Sequence, residues 1–310
     1  MTHFQDPRPA LIGGSQTEKD QHVNGQNEAF TTHVEGKSIT VACSEHNQTM
    51  LSLNMNVWET NFFNRAFGSL TIHPRFYTHE QLQVLHSALN SVLVKADEDY
   101  DLIESHCDMS GTRITAVMED KGFRLVDSKI TFMTLVNKSN LNDSSSDAIA
   151  TTFAAQDDLP DVLRLTHESL TDNPLFYSRF KNPAYFSAEE TRRYYAAWIE
   201  NNLNASESFS AISKANGKVI GFFIYKRAGL YKGNQVYKGL LSAVARDHRG
   251  QRLHFAMQSF LHNHFPEEQF YVDNTTQLAN LPTIRSHIRS GKELNRIALT
   301  FYRRNPLRHH

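Results

Sequence analysis

Three apolar runs follow one another with almost no room between them: SFSAISK (208–214), KVIGFFIYKR (218–227) and QVYKGLLSAV (235–244). Each has strand length and carries β-branched and aromatic residues. The first two flank Asn216-Gly217, a pair suited to the positive φ angles of a tight hairpin turn. A chain with this stretch is committed to an antiparallel meander, and its flanks then decide the architecture. Upstream lie a strand AIATTFAA, a helix DDLPDVLRLTHESL with Pro160 in its first turn, and a helix SAEETRRYYAAWIENNLN with Ser187 and Glu190 as a capping box. Downstream come a helix beginning near Gly250, a strand QFYVDN, a helix LPTIRSHIRSG and a last strand ELNRIALTFYRR. The order is β-α-α-β-β-β-α-β-α-β, which predicts an α/β fold on a mixed sheet.

A polar stretch, NKSNLNDSSSD, marks residues 137–147 as a linker. The division expected is a disordered leader over 1–35, an α/β domain over 36–136, the linker, a second domain over 148–304 and a tail over 305–310. In the first domain KSITVAC and TMLSLNM read as strands. THEQLQVLHSALNSVLVKAD reads as a helix, with Thr78 and Gln81 as a capping box and Leu82, Leu85, Leu89 and Val92 on one face. DLIESHC is a strand, SGTRITAVMEDKG a helix closed by Gly122, and FRLVDSKITFMTLV a long strand. The two mixed halves share only a vague similarity by eye.

Composition removes several function classes. A net charge of −1 on 310 residues argues against a polybasic nucleic-acid binder. No run approaches the ~18 apolar residues of a membrane span, and the N-terminus lacks the cationic head and apolar stretch of a secretory signal. The two cysteines, Cys43 and Cys107, form no C-x-x-C pair, which suits a reducing, cytoplasmic setting. The 16 histidines include no H-E-x-x-H arrangement, so no metal is expected, and no G-x-S-x-G, P-loop or paired-carboxylate signature occurs.

The segment VARDHRGQRLHFAMQSF (244–260) joins a strand end, a turn and a helix start. The free N–H groups and dipole of a helix N-terminus suit a phosphate, and Arg249 and Arg252 can add charge-assisted bonds. With the element order, WETNFFNRAFG (58–68), SRFKNPAY, YYAAWIENNL, GLLSAV and IRSHIRSG occur in sequence. In these blocks the chain resembles the GNAT acetyltransferase superfamily, and within it the dTDP-fucosamine acetyltransferase group, from about Trp58 to Arg303.

The resemblance implies a GNAT catalytic domain preceded by a smaller α/β domain. It also implies acetyl-CoA as acyl donor and, as acceptor, a nucleotide-linked amino sugar of the 4-amino-4,6-dideoxyhexose type. On this reading Leu241, Ser242, Ala243 and Val244 hold the pantetheine through their backbone. Arg249, Gly250, Gln251, Arg252, Leu253 and His254 form the phosphate loop, and Asn280 touches the cofactor while serving as an N-cap. The family loop has the form Arg/Gln-x-x-Gly-x-Gly/Ala; here Arg252 and His254 stand at the two small-residue positions. His287 stands where the close relatives have a tyrosine general acid, and it is the candidate proton donor, with Tyr302 and Tyr237 in reserve.

The irregular DNPLFYSRFKNPAYFS, with Tyr177, Arg179 and Lys181, suits stacking on a base and pairing with a diphosphate. Tyr194, Tyr195 and Trp198 follow a helical apolar stripe and are expected in the core, while Glu59 and Asn61 are candidate polar contacts. Two other readings stay open: a GNAT-fold binding or scaffold protein without cofactor affinity, and an N-acetyltransferase for another small amine or a peptide. Assembly as a homodimer is also left open.

Overall fold

A computed structural model describes residues 26–27, 30–44, 48–73, 79–109, 112–141 and 149–307. The chain runs through β1 (Gln26–Asn27), β2 (Phe30–Glu35), β3 (Ser38–Cys43), β4 (Gln48–Met55), α1 (Val57–Phe63), β5 (Phe67–Ile72), α2 (His79–Asp99), β6 (Leu102–Asp108), α3 (Thr112–Asp120) and β7 (Arg124–Asn137). It continues with β8 (Thr151–Phe153), α4 (Leu159–Thr166), α5 (Ala188–Asn202), β9 (Ser208–Ala215), β10 (Lys218–Tyr231), β11 (Asn234–Val244), α6 (Leu253–His264), β12 (Gln269–Gln277), α7 (Leu281–Arg289) and β13 (Glu293–Arg304).

The described residues fall into two compact units. One comprises those of 11–129 with those of 296–310, the other those of 130–295. The first therefore takes its last strand from the end of the chain, unlike the contiguous division expected from the linker. The cause is local to that unit: Ala298–Arg304 pair antiparallel with Leu102–Asp108 of β6, and Leu299 and Phe301 join its core. Its strands follow the order β1-β2-β3-β4-β5-β6-β13. Leu85, Leu89 and Val92 of α2 are fully buried in the core that also holds Val41, Met50, Leu51 and Leu53. The Thr78–Gln81 capping box lies outside the described residues.

Two expectations change here. Phe30–Glu35 form β2, paired in register with Ser38–Cys43 across a turn at Gly36, so the leader is not disordered through residue 35; Phe30 and Thr32 are buried. The block around Trp58 is helix α1. Asn56 caps it through Glu59, and Asn64 ends it in the left-handed region at φ 50. Of the linker, Asn137 ends β7 and caps a short turn through Ser139, while residues 142–148 lie outside the described residues.

The second unit orders its strands β7-β12-β11-β10-β9-β8. Its central strand β10 is apolar on both faces. Phe222 and Ile224 pack with Val162 and Leu165 of α4, Ile199 of α5 and Leu203 at its C-cap; Phe223 and Tyr225 pack with Met257 and Leu261 of α6. That is why IGFFIY reads as an unbroken run instead of an alternation. Asn216 and Gly217 take φ 49 and 75 as expected, and a second hairpin uses Lys232 and Gly233 at φ 49 and 80. Tyr195 is buried as its stripe predicts, whereas Tyr194, which stacks on Phe180 at 3.8 Å, and Trp198 are half-buried. Each unit contains an antiparallel three-strand meander, a helix, a parallel strand and a further helix, with β5–β6 and β11–β12 as the parallel pairs.

Candidate active site

The parallel ladder between β11 and β12 is short. It runs from Gln235 opposite Phe270 to Gly239 opposite Asn274 and stops there, although β11 continues to Val244 and β12 to Gln277. The cause lies on the other edge of β11. Its register against β10 slips between Ile224 opposite Leu241 and Tyr225 opposite Gly239, leaving Leu240 as an extra residue. Such a bulge bends its strand. The result is a fork whose crotch is Gly239 and Asn274. A Cβ on residue 239 would lie 2.8 Å from Asn274 Oδ1, so only glycine fits. Asn274 is 3% exposed and accepts from the Tyr225 hydroxyl at 2.9 Å and Gln258 Nε2 at 3.4 Å. Its own Nδ2 is buried and meets no acceptor among the described residues. An unmatched buried donor costs ~1–3 kcal/mol, which makes it a place where a bound acceptor atom is gained at a discount.

Beyond the end of β11, Arg246–His248 form one short turn and α6 begins at Leu253. Among the described residues, the backbone N–H groups of Gly250, Gln251, Arg252, Leu253, His254 and Phe255 meet no backbone carbonyl. The helix start is thus an open set of donors. Gly250 has φ 79 and Arg252 φ 60, so two positions of the loop are left-handed. Arg252 keeps the glycine-type path while bearing a Cβ. Arg246, Arg249 and Arg252 are exposed, and Arg249 Nε donates to the Val244 carbonyl at 3.1 Å, which ties the loop to the strand end. Arg246 is a cation that the sequence reading passed over.

His254 turns inward. Its ring lies 5.0 Å from Phe223 of β10 and 6.0 Å from His287 of α7. His287 is 3% exposed and packs on Phe132 of β7 at 5.0 Å. Burial first, then the nearby Lys292, pushes His254, His262 and His287 each down to about 3, so all three imidazoles are neutral at pH 7. A neutral, buried His287 is poorly suited to deliver a proton to a thiolate. The reserve donors are also committed. Tyr237 donates to Glu267 Oε2 at 2.6 Å and stacks on Phe265 at 3.6 Å; Tyr302 is fully buried in the first unit. Asn280 caps α7 by accepting from Thr283 N at 3.4 Å and donates to Thr276 Oγ1 at 3.0 Å.

No family model matches the chain. A spore coat polysaccharide biosynthesis protein of Bacillus subtilis (strain 168) is 29% identical over 132 residues, which is 42% of this chain and 42% of that protein. The match therefore spans less than half the length of that relative. Among solved structures, a GCN5-related N-acetyltransferase from Sphaerobacter thermophilus superposes with a TM-score of 0.53 at 12% identity, covering 86% of this chain and 80% of that one. A functionally unknown conserved protein from Staphylococcus epidermidis gives 0.51 at 9% identity, covering 93% of this chain and 95% of that one. The fold is that of the GNAT acetyltransferases.

Within this GNAT fold, the segment between α4 and α5 is more ordered than its composition suggests. α4 ends in a π-helical turn over His167–Thr171, and Lys181 Nζ donates to the carbonyls of Leu170 at 3.2 Å and Asn173 at 2.7 Å. Lys181, expected to meet a diphosphate, instead ties this turn together, and burial lowers its pKa. Arg179 lies over Phe180 at 4.4 Å, and Tyr177 is 43% exposed. Glu59, expected as a polar contact, is buried against Asn56 in the other unit, where Asn61 lines an open polar hollow with Thr60, Asn64 and Asp101. Among the described residues no cluster of three or more side chains suited to a metal occurs. The sequence reading also passed over Gln258, Asn274 and Lys292, none of which belongs to a recognisable motif.

Proposed function

We propose that the chain is an acetyl-CoA-dependent N-acetyltransferase whose acceptor is a nucleotide-linked amino sugar of the 4-amino-4,6-dideoxyhexose type. The observation that carries this reading is the fork after Gly239 and Asn274, with the open N–H groups of α6 at its head. The residues fit the donor. Leu241 to Val244 offer backbone donors and acceptors to the pantetheine amides. Gly250 to His254, with the side chains of Arg249 and Arg252, suit the pyrophosphate, and Asn274 Nδ2 offers a buried donor to a carbonyl oxygen. Acetyl-CoA supplies the activated acyl group; the chain's task is to align the acceptor amine with it and manage the protons. The choice of a sugar acceptor rests on the sequence resemblance and on the B. subtilis relative's part in polysaccharide biosynthesis. Tyr177 and Arg179 are the side chains proposed to meet the nucleotide.

One observation favours the rival scaffold reading: His254 and the Lys292–Gln258 bond both lie between α6 and α7. Titration calorimetry with acetyl-CoA separates the two. The enzyme reading expects micromolar affinity, followed by thiol release when dTDP-4-amino-4,6-dideoxygalactose is added. No heat at millimolar acetyl-CoA leaves the scaffold as the better account.

A further inference from the structure

Lys292 follows α7 by way of Gly291, whose φ of 72 turns the chain back so that Lys292 N donates to the His287 carbonyl at 3.1 Å. Its side chain then reaches α6, where Nζ donates to Gln258 Oε1 at 3.0 Å. Gln258 Nε2 donates to Asn274 Oδ1 at 3.4 Å, and Asn274 is the last residue of β12 paired with β11. Two hydrogen bonds therefore connect the Lys292 ammonium with the crotch of the fork. Beside them sits the one Asn274 donor that finds no acceptor among the described residues. A half-buried cation, an amide locked between two partners and an unused donor together make a polar cluster suited to a ligand with an acceptor atom.

We propose that Lys292 hands a proton to the departing thiolate, with Gln258 as the residue that positions its ammonium; the proposal rests on the acyl-transfer reading. The acceptor's neutral amine nitrogen forms a bond to the thioester carbonyl carbon, and the carbon–sulfur bond breaks with its electron pair going to sulfur. The sulfur takes a proton from Lys292. The excess proton on the new amide nitrogen leaves to water, and Lys292 regains one from water, so the cycle balances without any other reactant.

The surroundings suit this role. The titratable groups facing Lys292 are His254 and His262 on α6, His287 on α7 and, through His262, the buried Tyr225 phenol on β10; all are neutral at pH 7. No carboxylate pairs with Lys292 among the described residues. Burial alone brings its ammonium down to about 7, where acid and base forms coexist, as a proton donor working at neutral pH requires.

The test compares wild type, Lys292→Met and Gln258→Leu in acetyl-CoA binding and in the pH profile of thiol release. The amine probes are dTDP-4-amino-4,6-dideoxygalactose and hydroxylamine. Methionine is an apolar replacement for the lysine side chain, and circular dichroism checks that both variants fold. The expected result is acetyl-CoA affinity within a factor of a few of wild type in both variants. Turnover of Lys292→Met should fall by roughly 100-fold and lose the decline seen above neutral pH. Gln258→Leu, whose ammonium has lost its acceptor, should show that decline at lower pH. If Lys292→Met binds acetyl-CoA and turns over at the wild-type rate with the same alkaline decline, the proton-donor role is overturned while the acyl-transfer reading stands. If wild type binds no acetyl-CoA, or releases no thiol with either amine, that reading falls and takes the Lys292 proposal with it.

Discussion

Two residues of the loop before α6 stand in the left-handed region, and only one of them is a glycine. Gly250, at φ 79, has open space around the position a Cβ would take; Arg252, at φ 60, carries its Cβ there regardless. A left-handed residue with a Cβ costs ~1–2 kcal/mol, so Arg252 holds strain that a glycine would not. Strain of this kind is kept where the surrounding structure fixes the path, and here the path leads into six open N–H groups. Gly250→Ala isolates the backbone effect, because the new methyl touches nothing. It should lower stability by ~1 kcal/mol, read as a reduced urea midpoint with an unchanged slope. Arg252→Ala, already left-handed and still bearing a Cβ, should leave the midpoint where it is and weaken acetyl-CoA binding through the lost cation. A Gly250→Ala midpoint equal to wild type would show that the loop does not hold φ above zero at this position.

At the scale of elements, α6 and α7 meet the sheet partly through imidazoles where other helices of this unit use aliphatic side chains. His262 is 7% and His287 3% exposed, and both are neutral because burial penalises the charged ring. Their folded pKa values of about 3 lie below the ordinary 6.5 of an exposed histidine. Between those limits the unfolded chain binds the protons and the folded chain does not, so stability is present above pH 6.5 and drains as the pH falls toward 3. From pH 7 to pH 5 each of these two rings should remove roughly 2 kcal/mol. Urea midpoints across that range should fall steeply in wild type and less steeply in His287→Phe; equal slopes would mean the ring is solvated or paired in the folded state.

How legible these elements were depends on range. The Asn216-Gly217 hairpin, the Ser187–Glu190 cap and the apolar face of α2 are encoded by neighbours in sequence, and composition reveals them. The fork is not encoded that way, since it follows from where β11 slips against β10. Lys292 looks like any lysine after a helix until packing removes its water. Lys181 was read as a ligand for phosphate because sequence shows its charge and not the two carbonyls that claim it. α1 escaped notice because its aromatic residues fall on several sides: Trp58 is 41% exposed while Phe63 is buried.

For the whole molecule, the consequential feature is that the first unit is not a continuous piece of chain. The first unit needs residues from 296 onward, which sequence alone had assigned to the second domain because a polar linker and an unbroken element order suggested it. The pairing argues otherwise. Seven register partners join β13 to β6, from Ala298 opposite Asp108 to Arg304 opposite Leu102. Phe301 is 1% exposed in the first unit's core. Arg303 Nη2 donates to Asp97 Oδ2 at 2.9 Å, and Asn305 Nδ2 donates to the carbonyls of Asp97 at 2.7 Å and Tyr100 at 2.8 Å. Burying Leu299 and Phe301 is worth ~1.5–3 kcal/mol each, against a total of ~5–15 kcal/mol for an ordinary domain. Without β13 the fragment 1–141 would lose that burial and expose one long edge of β6, a template for aggregation. It should therefore be insoluble or lack a cooperative melt in circular dichroism. Adding a peptide of residues 293–307, or joining that peptide to the fragment through a flexible linker, should restore the melt. A fragment 1–141 that melts cooperatively without the peptide would mean the first unit closes its own sheet, and the linker would be the true boundary after all.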